Sequence, residues 1–375
     1  MKLPYFECPI PSAIHPGAAH ADAQSVAWMR RFSLCLNDTE RDRMARSGCG
    51  ELAARIVPDA TPQTLQILSD FFIWNVSFDD EYCDEGPLSR QPGRLAGVLA
   101  MIHRAIETPE DSAQVDDRYA AAMCDIRRRL DAHATADQMA QWLAAMRGWF
   151  FAEVWKAGNV ASGHVPSLNQ YGLLRLYSGG GLAFPTLAAI AEGYAVPTDL
   201  LEDRRVRALA EMALTLATWS ADIVSYEKEV AREQGGHNLI SVIQHGSQCS
   251  PAAAGARAVA MYMEIMQLFL GLRGELIAAG TSPALQRHVQ SLGRIVRATF
   301  DWCHGSERYV QDGVPDGAGP EGAHPSKAAS PSTASAIPCI AWWWTHDPAA
   351  QEARRGTPAL HVAGQGERAR AGALP

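Results

Sequence analysis

No segment of this 375-residue sequence alternates apolar and polar positions or gathers β-branched residues as a strand does, which argues against a sheet-based fold. No apolar run reaches about 18 residues, so no membrane span is expected. No C-x-x-C pair occurs among the eight cysteines, Cys8, Cys35, Cys49, Cys83, Cys124, Cys249, Cys303 and Cys339. Scattered thiols in so long a chain point to a reduced, cytoplasmic protein without a disulfide frame or zinc site. Basic residues are not in excess: 33 Lys and Arg stand against 41 Asp and Glu, and a net charge of −8 argues against a nucleic-acid binder. The first residues, MKLPYFECPIPSAIHP, hold one Lys, several prolines and no apolar core, unlike a secretory signal. Nothing resembles a Gly-rich phosphate loop of the P-loop type.

What is present is helical periodicity. Amphipathic patterns cover 22–35, 61–86, 93–108, 113–133, 135–157, the segment from Pro166, 181–193, 200–232, 251–279 and 283–306. The fold class expected is all-α, with antiparallel helices in one domain, residues 1–311. Residues 312–375 turn to Gly, Pro, Ala and Ser and are expected to be disordered or loosely attached. Within that tail, Trp342-Trp343-Trp344 is either an anchor on the domain or tail sequence without a role.

Thr61–Pro87, TPQTLQILSDFFIWNVSFDDEYCDEGP, dominates the pattern. Thr61-Pro62 reads as a cap followed by proline at the first helical position, and Gly86-Pro87 as a stop. Leu65, Leu68, Phe72 and Val76 recur at helical spacing, and the helix then ends in Asp79, Asp80, Glu81, Asp84 and Glu85. Carboxylates are disfavoured at a helix C-terminus. No Lys, Arg or His lies between Arg55 and Arg90, so an external cation is expected to meet them. Asp80 and Asp84 fall at i, i+4 with Asp79 beside them, oxygen-only spacing that suits Mg²⁺. A solvated acidic helix end fits the same letters. Cys83, a soft ligand among hard ones, reads as packing.

Three further places bear on chemistry. In ADIVSYEKE, 221–229, Ser225 and Glu229 share a face, Ala221 is the preceding member of that row, and Lys228 is adjacent. In YGLLRLYSGGG, Arg175 lies in an apolar helix just before a glycine break; it either pairs with an anion or snorkels to the surface. Arg308-Tyr309 ends the last helix, after Trp302.

Together these residues resemble the motifs of the bacterial class I terpene synthases. DDEYCDE (79–85) looks like their aspartate-rich motif and DIVSYEKE (222–229) like their NSE motif, (N/D)DxxSxxxE. Arg175, 46 residues before position 221, matches their diphosphate-sensing arginine, and Arg308-Tyr309 their terminal RY pair. PIPSAIHP (9–16), VPSLNQY (165–171) and HNLISVI (237–243) are also similar. The resemblance runs from about Pro9 to Tyr309 and implies a sesquiterpene-cyclase-like helical bundle around a central active-site cavity. It implies Mg²⁺, about three ions, held by Asp79, Asp80, Asp84, Ser225 and Glu229. Arg175, Lys228, Arg308 and Tyr309 would bind the substrate diphosphate. Arg175, Ser178 and Gly179 would trigger ionisation, and Phe72, Val76 and Trp302 would wall the pocket. The expected substrate is a prenyl diphosphate, by preference farnesyl, acting in a monomer or homodimer. A geranyl or 2-methylgeranyl (methylisoborneol-type) synthase is an alternative. A chain-elongating prenyltransferase needs two aspartate-rich motifs, and only one is present. The departure from the pattern is Ala221, which has no ligand oxygen where Asn or Asp belongs. Asp222, about 100° further round the helix, cannot replace it. That leaves a degenerate prenyl-diphosphate binder as the non-enzyme reading.

Overall fold

The structure, a computed structural model, describes residues 5–110, 116–231, 235–308 and 334–350, and no strand occurs among them. In chain order the helices are α1 (Ala18–Arg31), α2 (Asp38–Ala45), α3 (Cys49–Ile56), α4 (Pro62–Phe78), α5 (Pro92–Glu107), α6 (Arg118–Leu130) and α7 (Ala136–Ser162). They continue as α8 (Leu168–Tyr177), α9 (Ala183–Ala191), α10 (Thr198–Leu201), α11 (Arg204–Ala231), α12 (Leu239–Ser247), α13 (Pro251–Ala278) and α14 (Pro283–Gly305). The long amphipathic patterns became helices close to their expected bounds. The short α2, α3 and α12 were not anticipated, because eight or nine residues carry too little periodicity to stand out.

The helix starts follow from side-chain caps. Thr61 accepts the Thr64 amide while the Thr64 hydroxyl accepts the Thr61 amide, with Pro62 at the first position. The pairs Thr135–Gln138 and Ser167–Gln170 make the same reciprocal arrangement for α7 and α8. Two apolar clusters fill the bundle. One is built mainly from α1, α3–α7 and α9 around Phe71, Trp74, Phe78, Trp142 and Trp149. The other is built mainly from α8 and α11–α14 around Trp219, Tyr262 and Phe269.

The second cluster also takes in part of the tail. Residues 334–350 pack on the domain: Ala334, Ile340 and Trp343 are fully buried, and the Trp343 indole N–H donates to Glu211 at 3.0 Å. The Cys339 amide donates to Asn169 at 2.8 Å, tying the segment to α8. The composition of the tail concealed this, since one buried indole outweighs many small residues around it. Trp343→Ala should therefore lower unfolding free energy by about 3–5 kcal/mol, read from a denaturant midpoint. An unchanged midpoint would show that the segment contributes nothing to the fold.

Candidate active site

α4 does not run straight through its acids. Asp79–Asp84 forms a π-helical turn, closed by the Glu85 amide on the Asp80 carbonyl at 2.8 Å. The wider turn brings residues five apart together, a feature frequent at functional sites. It separates the carboxylates that a regular helix would pair. Asp79 and Asp84 share one ammonium, Lys156 of α7, at 3.5 and 2.7 Å. Asp80 turns the other way, onto both terminal nitrogens of Arg308 at 2.7 and 2.6 Å, with Arg43 at 3.2 Å. Glu81 leaves the group and binds Arg118 and Tyr119 of α6. The expected Asp80–Asp84 pairing is thus replaced by Asp79–Asp84, for the reason that the helix widens at Asp79.

The external cations are the protein's own. Lys156, one of four lysines in the chain, also lies 2.9 Å from Glu153, which is fully buried and receives the Trp149 indole N–H at 3.0 Å. Burial and the adjacent Asp84 carboxylate raise the Asp79 pKa. Burial opposes the charge on Lys156, but Asp79, Asp84 and Glu153 keep it firmly protonated. Burial also works against ionised Asp80, and Arg308, Lys228 and Arg43 more than offset it, holding that carboxyl below the usual range. Lys228 sits on α11, so the charges of α4 and α11 act on one another across the interior.

On the α11 side, Arg175 neither snorkels nor lacks an anion. Its Nε and Nη2 reach Asp222 at 3.2 and 2.7 Å, and its Nη1 reaches the Ser178 hydroxyl at 3.4 Å. Tyr171 donates its hydroxyl to the other Asp222 oxygen. Ser225 donates to Glu229 at 2.5 Å, and the Asn238 amide donates to Glu229 at 3.1 Å and to the Asp222 carbonyl at 2.8 Å. Burial, then the Asp222 charge, push Glu229 up to about 7. Arg175 lies in the last turn of α8, just before a break where Ser178 is extended and Gly179 and Gly180 have φ of 84° and 103°. A Cβ on Gly180 would lie 2.4 Å from the Phe184 ring, so glycine there lets that ring lie under the break. Phe184 in turn meets Phe72 with ring centroids 4.9 Å apart.

The sequence pattern of the family described as "Terpene synthase family 2, C-terminal metal binding" matches residues 70–267, which hold the acid turn, Arg175 and the Ser225–Glu229 pair. The chain belongs to this terpene synthase family. It is 34% identical over 346 residues to (+)-(1(10)E,4E,6S,7R)-germacradien-6-ol synthase of Streptomyces pratensis, covering 92% of this chain and 97% of that one. It is 33% identical to the (+)-T-muurolol synthase ((2E,6E)-farnesyl diphosphate cyclizing) of Streptomyces clavuligerus, over 90% of this chain and 81% of that one. The crystal structure of SVS_A2, a protein from ancestral sequence reconstruction, superposes with a TM-score of 0.78 at 30% identity, covering 92% of this chain and 98% of that one.

As a terpene synthase the chain is a lyase acting on a prenyl diphosphate, built as an all-α bundle. No helix among the described residues is long and apolar enough to cross a membrane. The donor set suits a divalent metal on the α4 side, where Asp79 and Asp84 offer hard oxygens. On the α11 side Ser225 and Glu229 lie together, and the Asp222 carboxylate is committed to Arg175 and Tyr171. Position 221, one turn before Ser225, holds Ala, which has no side-chain oxygen. Phe72 and Val76 are buried on α4, within the first apolar cluster. Trp302 is placed against the α2–α3 turn, its indole N–H donating to the Ser47 carbonyl at 2.6 Å. Tyr309 lies outside the described residues. Sequence reasoning missed Lys156, Glu153, Asn238, Tyr171 and Phe184. Tyr171 and Asn238 do fall in the similar stretches VPSLNQY and HNLISVI. Lys156 and Glu153 had no such signal, because their roles come from packing α7 against the acid turn.

Proposed function

We propose that this terpene synthase is a Mg²⁺-dependent cyclase that ionises farnesyl diphosphate and closes the resulting cation into a cyclic sesquiterpene. What supports the reading is the two-point pairing of Arg308 with Asp80 at 2.7 and 2.6 Å, with the Lys228 charge of α11 also favouring that carboxylate. Farnesyl is favoured because a relative that matches over nine-tenths of this chain carries farnesyl diphosphate in its name. Asp79 and Asp84, with Ser225 and Glu229, would hold the metal, which when bound supplies Lewis-acid neutralisation of the leaving diphosphate, while Asp80 stays with Arg308. Arg175, oriented by Asp222, and Lys228 and Arg308 would receive that diphosphate. Ser178 and Gly179 would complete the ionisation trigger. Phe72, Val76 and Phe184, with Trp302, would shield the cation from water. Each aromatic face would stabilise it by roughly 0.5–2 kcal/mol.

Incubation with Mg²⁺ and farnesyl, geranyl, 2-methylgeranyl or geranylgeranyl diphosphate, with assay of diphosphate and volatile products, tests this directly. Turnover of the ten- or eleven-carbon substrates alone would overturn the farnesyl assignment. Diphosphate binding without release would identify a degenerate binder. Ala221 bears on the same assay. Ala221→Asn should lower the Mg²⁺ concentration for half-maximal activity by about tenfold, the worth of one restored charge-assisted ligand contact. An unchanged Mg²⁺ curve would mean that position 221 carries no metal ligand in this chain.

A further inference from the structure

Asn75 is out of place in the wall of a site that must handle a carbocation. It lies on α4 four residues before Asp79 and three after Phe72, on the helix face that those two share with Val76. Only 8% of it is exposed, yet its Nδ2 has no hydrogen-bond partner among the described residues. Its face neighbours Phe72 and Val76 are buried and apolar, and Phe72 packs on Phe184. A buried amide left unsatisfied is destabilising, and no fold requirement calls for one here: a leucine has the same number of side-chain heavy atoms in the same branched arrangement and suits the helix better.

We infer that Asn75 positions the water that ends the reaction, so that the product is a cyclic terpene alcohol. The inference rests on the cyclase reading above. An amide in an apolar wall can hold one water through its N–H donors and its carbonyl, at a fixed place beside the cation and below the acid turn. In the closing step a lone pair of that water forms a C–O bond to the cationic carbon. The oxonium then passes its proton to the diphosphate released in the first step. No oxidant or reductant is needed, and one water is consumed. Without the amide, the cation ends by losing a proton from carbon, which gives a hydrocarbon.

The test is Asn75→Leu in the full-length protein with Mg²⁺ and farnesyl diphosphate in H₂¹⁸O, following diphosphate release, product profile and melting temperature. The wild type should yield an alcohol bearing ¹⁸O. The variant should release diphosphate at a comparable rate, lose alcohol relative to hydrocarbon by about tenfold, and melt at or above the wild-type temperature. The temperature separates a water-holding role from a structural one, and Asn75→Val gives a smaller apolar control should the leucine variant fail to fold. An unchanged alcohol fraction in a folded variant overturns the inference, as does a wild type that makes hydrocarbon alone. A wild type that releases no diphosphate from any of the prenyl substrates overturns the cyclase reading, and the inference with it.

Discussion

Asp222→Ala should abolish measurable turnover and lower the stability of the protein by about 3–5 kcal/mol, the cost of leaving one partner of a buried ion pair uncompensated. Asp222 is 2% exposed, and its two oxygens hold Arg175 at 2.7 Å and receive the Tyr171 hydroxyl. Removing it frees a guanidinium that would have to be aimed at diphosphate, and small losses of aim cost about a hundredfold in rate. Burial weighs against the Arg175 charge, but Asp222 and Tyr171 favour it, so the arginine stays protonated. Asp222→Asn should be milder, because an amide keeps the Tyr171 contact and one acceptor for Arg175. Denaturant melts and single-turnover ionisation rates measure the two effects separately. Equal ionisation rates in the wild type and both variants would remove Arg175 from the trigger.

Lys156→Met has the second large effect, and its size depends on metal. Without metal the variant should lose about 3–5 kcal/mol, because Asp79, Asp84 and Glu153 then crowd together without their shared ammonium. Mg²⁺ should restore most of that loss and bind the variant more tightly than the wild type, where Lys156 competes for the same oxygens. Melting in chelator and over a Mg²⁺ series reads both. If the variant melts like the wild type in chelator, Lys156 is not the cation that holds the acid turn together. The same balance explains why acids end a helix that carries no basic residue of its own. Their neutralisation comes from α7, from Arg43 on α2 and from Arg308 beyond α14.

Much of the fold was legible because long amphipathic helices write their burial into the sequence. Thr61-Pro62 announced the start of α4, and the patterns for α7, α11, α13 and α14 gave their faces. The short α2, α3 and α12 did not, and the docked Trp343 segment was hidden in a tail of small residues. The site divides in the same way. The residue types and order of the acid turn, Arg175, Ser225, Glu229 and Arg308, and the missing oxygen at Ala221, could be read from the letters alone. Chemistry at fixed chain spacing leaves that trace. Tertiary structure decided what each charge meets. The π-turn at Asp79 sends Asp79 and Asp84 to Lys156 and Asp80 to Arg308. Asp222 goes to Arg175, and the Asn75 Nδ2 is left without a partner among the described residues. Those pairings join residues tens to hundreds of positions apart, and only the packing of α7, α11 and α14 around α4 brings them within a few ångströms.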